Sequence, residues 1–312
     1  MNPAFSVIFF TTSSGTGYGL LTVLGLLNAL GILPQHRVFL VLAVGLAIVL
    51  VTFGLLSSTL HLGHPERAWR AFTQWRSSWL SREGVLAVIT YGPAMLFLWG
   101  CWKGEQMQTF YVYVGMATAL LSLVTVYTTS MIYASLRSIA AWHHSLVPPI
   151  YLMLSVFSGL VLFQLLASLQ GFSISSLAGY VCLLATGSWF LKILYWRSLD
   201  NAGAQSDAAT ATGLGPRGSV SQLLEPHSSD NYLLKEMGFR VAQKHATKLR
   251  QIARLLLFIL PFTASAGVAM QWVSSFSLLE SIAVLALIPG LLVERWLFFA
   301  EARHAVVSYY GR

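Results

Sequence analysis

Two ionisable side chains, His61 and Glu83, stand at the ends of a polar loop between long apolar runs, HLGHPERAWRAFTQWRSSWLSREG, residues 61–84. Histidine donates or accepts a hydrogen bond and titrates near neutral pH. A partly desolvated glutamate can hold or release a proton. If the flanking runs cross a membrane, the loop brings both groups to one edge of it, where an ionisable side chain is a functional-site hypothesis by default. Their joint chemistry suits a quinone head group, which needs a hydrogen-bond partner at each carbonyl and a route for two protons. The plain alternative is that Glu83 pairs with Arg82 or Arg67 and His61 bonds the free carbonyls at a helix end.

The first apolar run carries a polar patch, Thr11-Thr12-Ser13-Ser14-Gly15-Thr16-Gly17-Tyr18-Gly19. Small residues and hydroxyls allow close helix approach; alternatively, Ser13, Ser14 and Tyr18 line a cavity for an amphipathic ligand. Near the C-terminus Glu294 and Arg295 lie beside Phe298 and Phe299, as an internal pair or as part of a site. Neither metal nor haem chemistry is expected. The two cysteines, Cys101 and Cys182, are too few for an iron–sulfur cluster and form no CxxC. Haem needs histidines facing across helices, and only His61 is placed on a membrane face.

The chain that must position these groups has 312 residues, 56% hydrophobic and 10% charged, with a mean hydropathy of +0.67. A soluble domain carries about 25% charged residues, so this is a polytopic membrane protein. Nucleic-acid binding does not explain the net charge of +8, because Arg37 is the only charged side chain in residues 1–60. Eight windows are long and apolar enough to span: 5–31, 38–62, 84–102, 108–133, 146–169, 174–196, 252–273 and 278–300. The first is read as a retained helix, since it is too long and wrongly flanked for a cleaved signal.

Eight spans put both termini and the loops after spans two, four and six on one side. That side holds seventeen of the nineteen Lys and Arg residues, nine of them from Lys192 to Arg254, leaving Arg37 and Lys103 opposite. The bias predicts cytoplasmic termini. The expected organisation is helices one to six over 1–197, a cytoplasmic linker and basic helix over 198–250, and the last two helices and tail over 251–312. In the middle segment Arg240, Lys244 and Lys248 repeat every fourth residue, suited to anionic lipid or an acidic partner.

The loop after span two predicts an amphipathic helix over 66–80. Ala68, Trp69, Phe72, Trp75, Trp79 and Leu80 share one arc, and Glu66, Arg67 and Arg70 the other, with Arg76 out of place. The fold expected is therefore all-α, with eight transmembrane helices and this interfacial helix. The helix either anchors in lipid or forms a docking platform through Trp69, Trp75, Arg67, Arg70 and Arg76.

STLHLGHPERAWRAFTQWRSSWLSREG resembles the dimethyl sulfoxide reductase anchor-subunit family, a branch of the larger polysulfide and nitrite reductase membrane-anchor group. The LHLGHPERA run followed by LSRE carries the likeness. The resemblance implies an eight-span anchor that binds a quinone (ubiquinone or menaquinone) and no haem. It implies partners holding the metals, a four-cluster iron–sulfur subunit and a molybdopterin catalytic subunit. By motif position the family's functional histidine falls on His61 and its quinone-site glutamate on Glu83; Arg82, Trp79, Tyr18, Ser13 and Ser14 are weaker candidates. The family's catalytic subunits lie outside the cytoplasm, whereas the charge bias here puts the His–Glu loop inside. That bias, the basic segment and the C-terminal ERWLFFAEARH look more like anchors of sulfite-oxidising molybdoenzymes of the bacterial inner membrane. Quinol oxidation with S- or N-oxide reduction is the alternative, and a secondary transporter using Glu83, Glu294 and Arg295 is the reading from another class.

Overall fold

A computed structural model describes residues 3–60, 63–172, 175–201, 241–272 and 276–305, with isolated positions between 209 and 220. The described residues are helical and contain no strand. Eight helices are long and apolar enough to cross a membrane: α1 (Phe5–Ala29), α2 (Arg37–Thr59), α3 (Trp79–Lys103), α4 (Thr109–Ala134), α5 (Val147–Leu169), α6 (Ser175–Asn201), α7 (His245–Ala269) and α8 (Phe276–Ala300). Two start earlier than expected: α3 at Trp79 rather than 84, and α7 at His245 rather than 252. In both cases polar side chains occupy the opening turns, which hydropathy alone assigns to the loop.

The helix ends follow local chemistry. The His36 ring caps α2 by accepting from the Phe39 amide. Gly104, at φ 79°, closes α3 in the left-handed region. Pro148 and Pro149 sit in the first turn of α5, where no amide donor is missed. Within α7 the turn Arg254–Ile259 widens to a π-helix just ahead of Pro261, whose ring and missing amide disturb the regular ladder. Hydroxyls inside the helices bond back to their own carbonyls, as Thr22 Oγ1 does to Tyr18 O at 2.8 Å and Thr118 Oγ1 to Val114 O at 2.8 Å.

Helix α1 is central, packed against α2, α4, α5 and α8, while α6 and α7 extend the bundle from α5 and α8. Lipid offers no hydrophobic drive between helices, so their contact rests on small residues that let backbones approach. Gly19 and Gly159 bring α1 and α5 together so closely that a Cβ on Gly19 would strike the Ser155 carbonyl. Ser13 Oγ donates to Leu50 O of α2 at 2.7 Å, and Ser155 Oγ to Gly15 O at 2.6 Å. The polar patch of the first span is thus largely a packing surface. The outer faces present Phe53, Val88, Leu120, Leu183 and Leu285 outward, as lipid contact requires.

The amphipathic helix of the loop forms as a 3₁₀ helix, Pro65–Gln74, and ends a turn before α3. Its tighter winding, about three residues per turn, corrects the α-helical wheel. Trp69 and Phe72 now align in one column, with the capping Trp75 at its end, and Arg67 and Arg70 in another; Arg76 lies in the turn beyond the helix. The aromatic column is not turned into the bundle: Trp69 is 60% and Trp75 53% exposed, and only Phe72 reaches back, against Gly84. A second correction concerns Lys192. The charge count groups it with the cytoplasmic loop although it falls within the sixth apolar window, and it lies inside α6 and is buried.

Candidate functional site

Glu83 stands in the second turn of α3, close to the end of the loop, and is 5% exposed. Its Oε1 accepts from Thr129 Oγ1 of α4 at 2.8 Å. It makes no ion pair among the described residues, so neither neighbouring arginine neutralises it. Arg82 instead folds back on the loop, donating from Nε to Trp75 O at 3.1 Å and from a terminal nitrogen to Arg76 O at 2.7 Å. Its guanidinium lies 4.2 Å over the Trp79 ring, whose edge meets Tyr127. Arg82 and Trp79 thereby clamp the end of the loop onto α3. Arg67 keeps to the exposed Glu66, at 3.8 Å. His61 lies outside the described residues.

A narrow cleft of about 20 Å³ lies between α1, α4, α5 and α8. Thr11, Thr12 and Thr16 form one wall, Val126 and Tyr151 two more, and Arg295 the fourth. Thr129, which holds Glu83, is one helical turn along α4 from Val126. Ser13, Ser14 and Tyr18 do not line this space. Ser14 Oγ is spent on Phe10 O at 2.6 Å, and the buried Tyr18 hydroxyl makes no hydrogen bond. Thr12 Oγ1, a buried atom in the wall, also has no partner.

Arg295 resolves a question that the sequence left open, since it belongs both to an internal pair and to the cavity. Its Nε donates to Glu294 Oε2 at 2.6 Å, and Lys192 Nζ donates to Glu294 Oε1 at 2.6 Å. All three residues are 3% exposed or less. One carboxylate therefore serves two cations, and the group carries a net positive charge in a low-dielectric setting. The Arg295 guanidinium lies 4.0 Å over the Tyr151 ring. Tyr133 stacks on Tyr151 and is boxed by Trp142, Phe298 and Phe299.

An anionic or carbonyl oxygen at this cleft would meet the Arg295 guanidinium and the Thr12 hydroxyl, with Tyr151 beside it. Lys192 was missed by sequence reasoning, although a lone lysine inside the aromatic run WFLKILYW is the signal that finds it. Nothing in the sequence singles out Thr129. On the loop, Arg70 covers Trp69 at 5.7 Å and Arg76 covers Trp75 at 5.5 Å, forming an exposed aromatic and cationic surface with Arg67. Of the basic stripe only the Lys248 side chain is described, and it is exposed; Arg240 and the Lys244 side chain lie outside the described residues.

Residues 1–300 match the family described as DMSO reductase anchor subunit (DmsC). A curated relative from Allochromatium vinosum, one of the subunits of a sulfite dehydrogenase, is 33% identical over 326 aligned positions that cover 99% of each chain. The expected likeness thus extends over nearly the whole protein and not only the His–Glu loop. With eight spanning helices and a match of this length, the chain is a multi-pass membrane protein of the DMSO reductase anchor-subunit family.

Proposed function

We propose that this chain is the membrane anchor and quinone-reactive subunit of a molybdopterin and iron–sulfur oxidoreductase. It passes electrons between the iron–sulfur subunit and the quinone pool during cytoplasmic sulfite oxidation. The carrying observation is the buried Glu83, with no ion pair among the described residues and held by Thr129 one helical turn along α4 from Val126 of a cleft that Arg295 also lines. Family membership supports the anchor role, and likeness to part of a sulfite dehydrogenase supports the direction.

The quinone, ubiquinone or menaquinone, is the substrate and accepts two electrons and two protons when reduced. The chain's residues fit its head group. Arg295 holds one carbonyl oxygen, Tyr151 flanks the ring, and Thr12 offers a hydroxyl. Glu83, oriented by Thr129, exchanges a proton on the side of α4, and His61 serves the same end of the site. The positive group around Arg295 favours an oxygen that gains negative charge. Arg67, Arg70, Arg76, Trp69 and Trp75 form the surface on which the four-cluster iron–sulfur subunit docks, bringing the molybdopterin catalytic subunit with it. Both termini lie in the cytoplasm of a bacterial cell, and lipid of the inner membrane contacts the outer faces.

Gentle-detergent purification of the tagged chain from its native host tests the anchor role. Iron and molybdenum should co-elute in fixed ratio to the chain. Reversing the charge of Arg67, Arg70 and Arg76 together should release both metals while the chain stays in the membrane. A metal-free eluate from the unaltered chain overturns the reading.

A further inference from the structure

The face of the bundle where α2 begins and α3 ends lies opposite the loop that joins them. Its loops and helix ends hold two of the nineteen Lys and Arg residues, Arg37 and Lys103. Cations are sparse there because the charge bias gathers them on the other side of the membrane. The fold brings these two to one spot. Arg37, the first residue of α2, lays its guanidinium 5.1 Å from the centre of the Trp102 ring on α3. Trp102 leans against Trp99, one turn earlier, with ring centres 5.1 Å apart. The Lys103 ammonium lies 5.5 Å from the Trp99 ring. Both indoles are 48% exposed, and both cations are exposed as well.

No carboxylate neutralises either cation among the described residues. Glu105 is the nearest acid in sequence, and its amide closes the end of α3 by donating to Gly100 O at 2.9 Å, but its side chain forms no ion pair there. Glu280, the other acid of this face, is buried in α8. Two like charges thus converge on one pair of packed rings and leave room for an external anion. Toward the middle of the bilayer the same surface is apolar and open. Val38 and Leu42 follow Arg37 along α2, Met95 and Leu96 precede Trp99 along α3, and all four are exposed. Deeper still, Thr52 Oγ1 and Tyr91 Oη share a hydrogen bond of 2.6 Å that joins α2 to α3. A small soluble anion would use the cations alone, whereas an anion carrying hydrocarbon chains would use the whole surface.

We infer that this surface binds one anionic phospholipid, with its phosphate held by Arg37 and Lys103. The guanidinium forks onto phosphate oxygens, and the ammonium adds a point charge. The Trp99 and Trp102 indoles sit at head-group depth beside the ester region, and the acyl chains run over the apolar residues below. Arg37 belongs to α2 and Lys103 to α3, so one head group ties the two helix ends together. It thereby stiffens the hairpin whose other end carries the exposed loop of Trp69, Trp75 and the arginines. Lipid binding at this face is independent of where the quinone reacts.

The test titrates the full-length chain, purified in a mild detergent, with phosphatidylglycerol and counts bound lipid by native mass spectrometry. Phosphatidylcholine and inorganic phosphate are the comparison ligands. Phosphatidylglycerol should bind more tightly than phosphatidylcholine, and added salt should narrow the gap. Changing Arg37→Gln and Lys103→Gln together should weaken phosphatidylglycerol by about 10-fold or more, since each cation at an anionic surface is worth several-fold. Binding of phosphatidylcholine should stay as it was, and so should the melting temperature without added lipid, because both side chains are exposed. Arg37→Lys keeps the charge and should keep the preference; Arg37→Gln alone carries the test if the double variant does not accumulate. Equal phosphatidylglycerol affinity in the charge-removed and unaltered chains would overturn the site. Displacement of the lipid by inorganic phosphate would make it a site for a free anion and overturn the lipid assignment. A co-purifying protein that occupies this face, and is lost with the two cations, would make it a protein interface and overturn it too.

Discussion

Glu83→Gln abolishes most quinone-linked turnover of the assembled complex while leaving the dye-linked activity of its soluble subunits at the unaltered level. The expected loss is about 10²- to 10⁴-fold, the range for removing a positioned acid or base. The substitution isolates proton exchange from shape. Glutamine has the same length, and its carbonyl oxygen can still accept from Thr129 Oγ1, which now bonds Glu83 Oε1 at 2.8 Å. What it lacks is a titrating proton. Because Glu83 has no ion pair among the described residues, its loss also leaves no cation stranded. A change in rate with little change in stability therefore reports chemistry. Thr129→Val should reproduce a smaller part of the loss, since it removes the donor that orients the carboxyl. Turnover of Glu83→Gln within twofold of the unaltered complex would remove Glu83 from the mechanism.

Glu294→Ala should be the most destabilising single substitution in the bundle. Glu294 is the shared counter-ion of Lys192 and Arg295, and none of the three reaches water. Removing it strands two cations, and breaking a buried pair by deleting one partner costs about 3–5 kcal/mol. That is a large share of the roughly 5–15 kcal/mol by which folded proteins are stable. The chain should fail to accumulate in the membrane, or unfold at a much lower temperature in detergent. Lys192→Met provides the contrast, because it takes a net-positive triad to a neutral pair and should change the melting temperature far less. Similar melting temperatures for Glu294→Ala and Lys192→Met would show that the charges are not coupled as the distances indicate.

Much of this was legible in the sequence. Apolar runs of spanning length marked all eight helices, because a backbone in lipid must satisfy its own hydrogen bonds and a helix does so. Glu83 stood out for the same reason, as a carboxyl one turn from unbroken hydrophobics. The 3₁₀ winding of Pro65–Gln74 was not legible, because the three-residue and 3.6-residue patterns diverge little over ten residues. Ser13 and Ser14 read equally well as ligand contacts or packing groups; the choice depends on which helix lies opposite, and α2 and the preceding turn of α1 take their hydroxyls. Lys192 and Glu294 are 102 positions apart, and a pair so separated is visible only once α6 and α8 are brought together. The cavity itself is made by four helices from distant parts of the chain, which no local spacing reveals.

The measurement that bears most directly on the quinone role is sulfite-driven reduction of decylubiquinone by the complex purified through this chain. Steady quinone reduction is expected; it should track the molybdenum content, be blocked by a quinone-site inhibitor, and be lost when the soluble subunits are stripped from the anchor. Reduction of an S-oxide at the expense of quinol, with no sulfite-dependent activity, would reverse the direction of electron flow. A complex that oxidises sulfite with a dye but never passes electrons to quinone would contradict the central claim that this chain is where the quinone reacts.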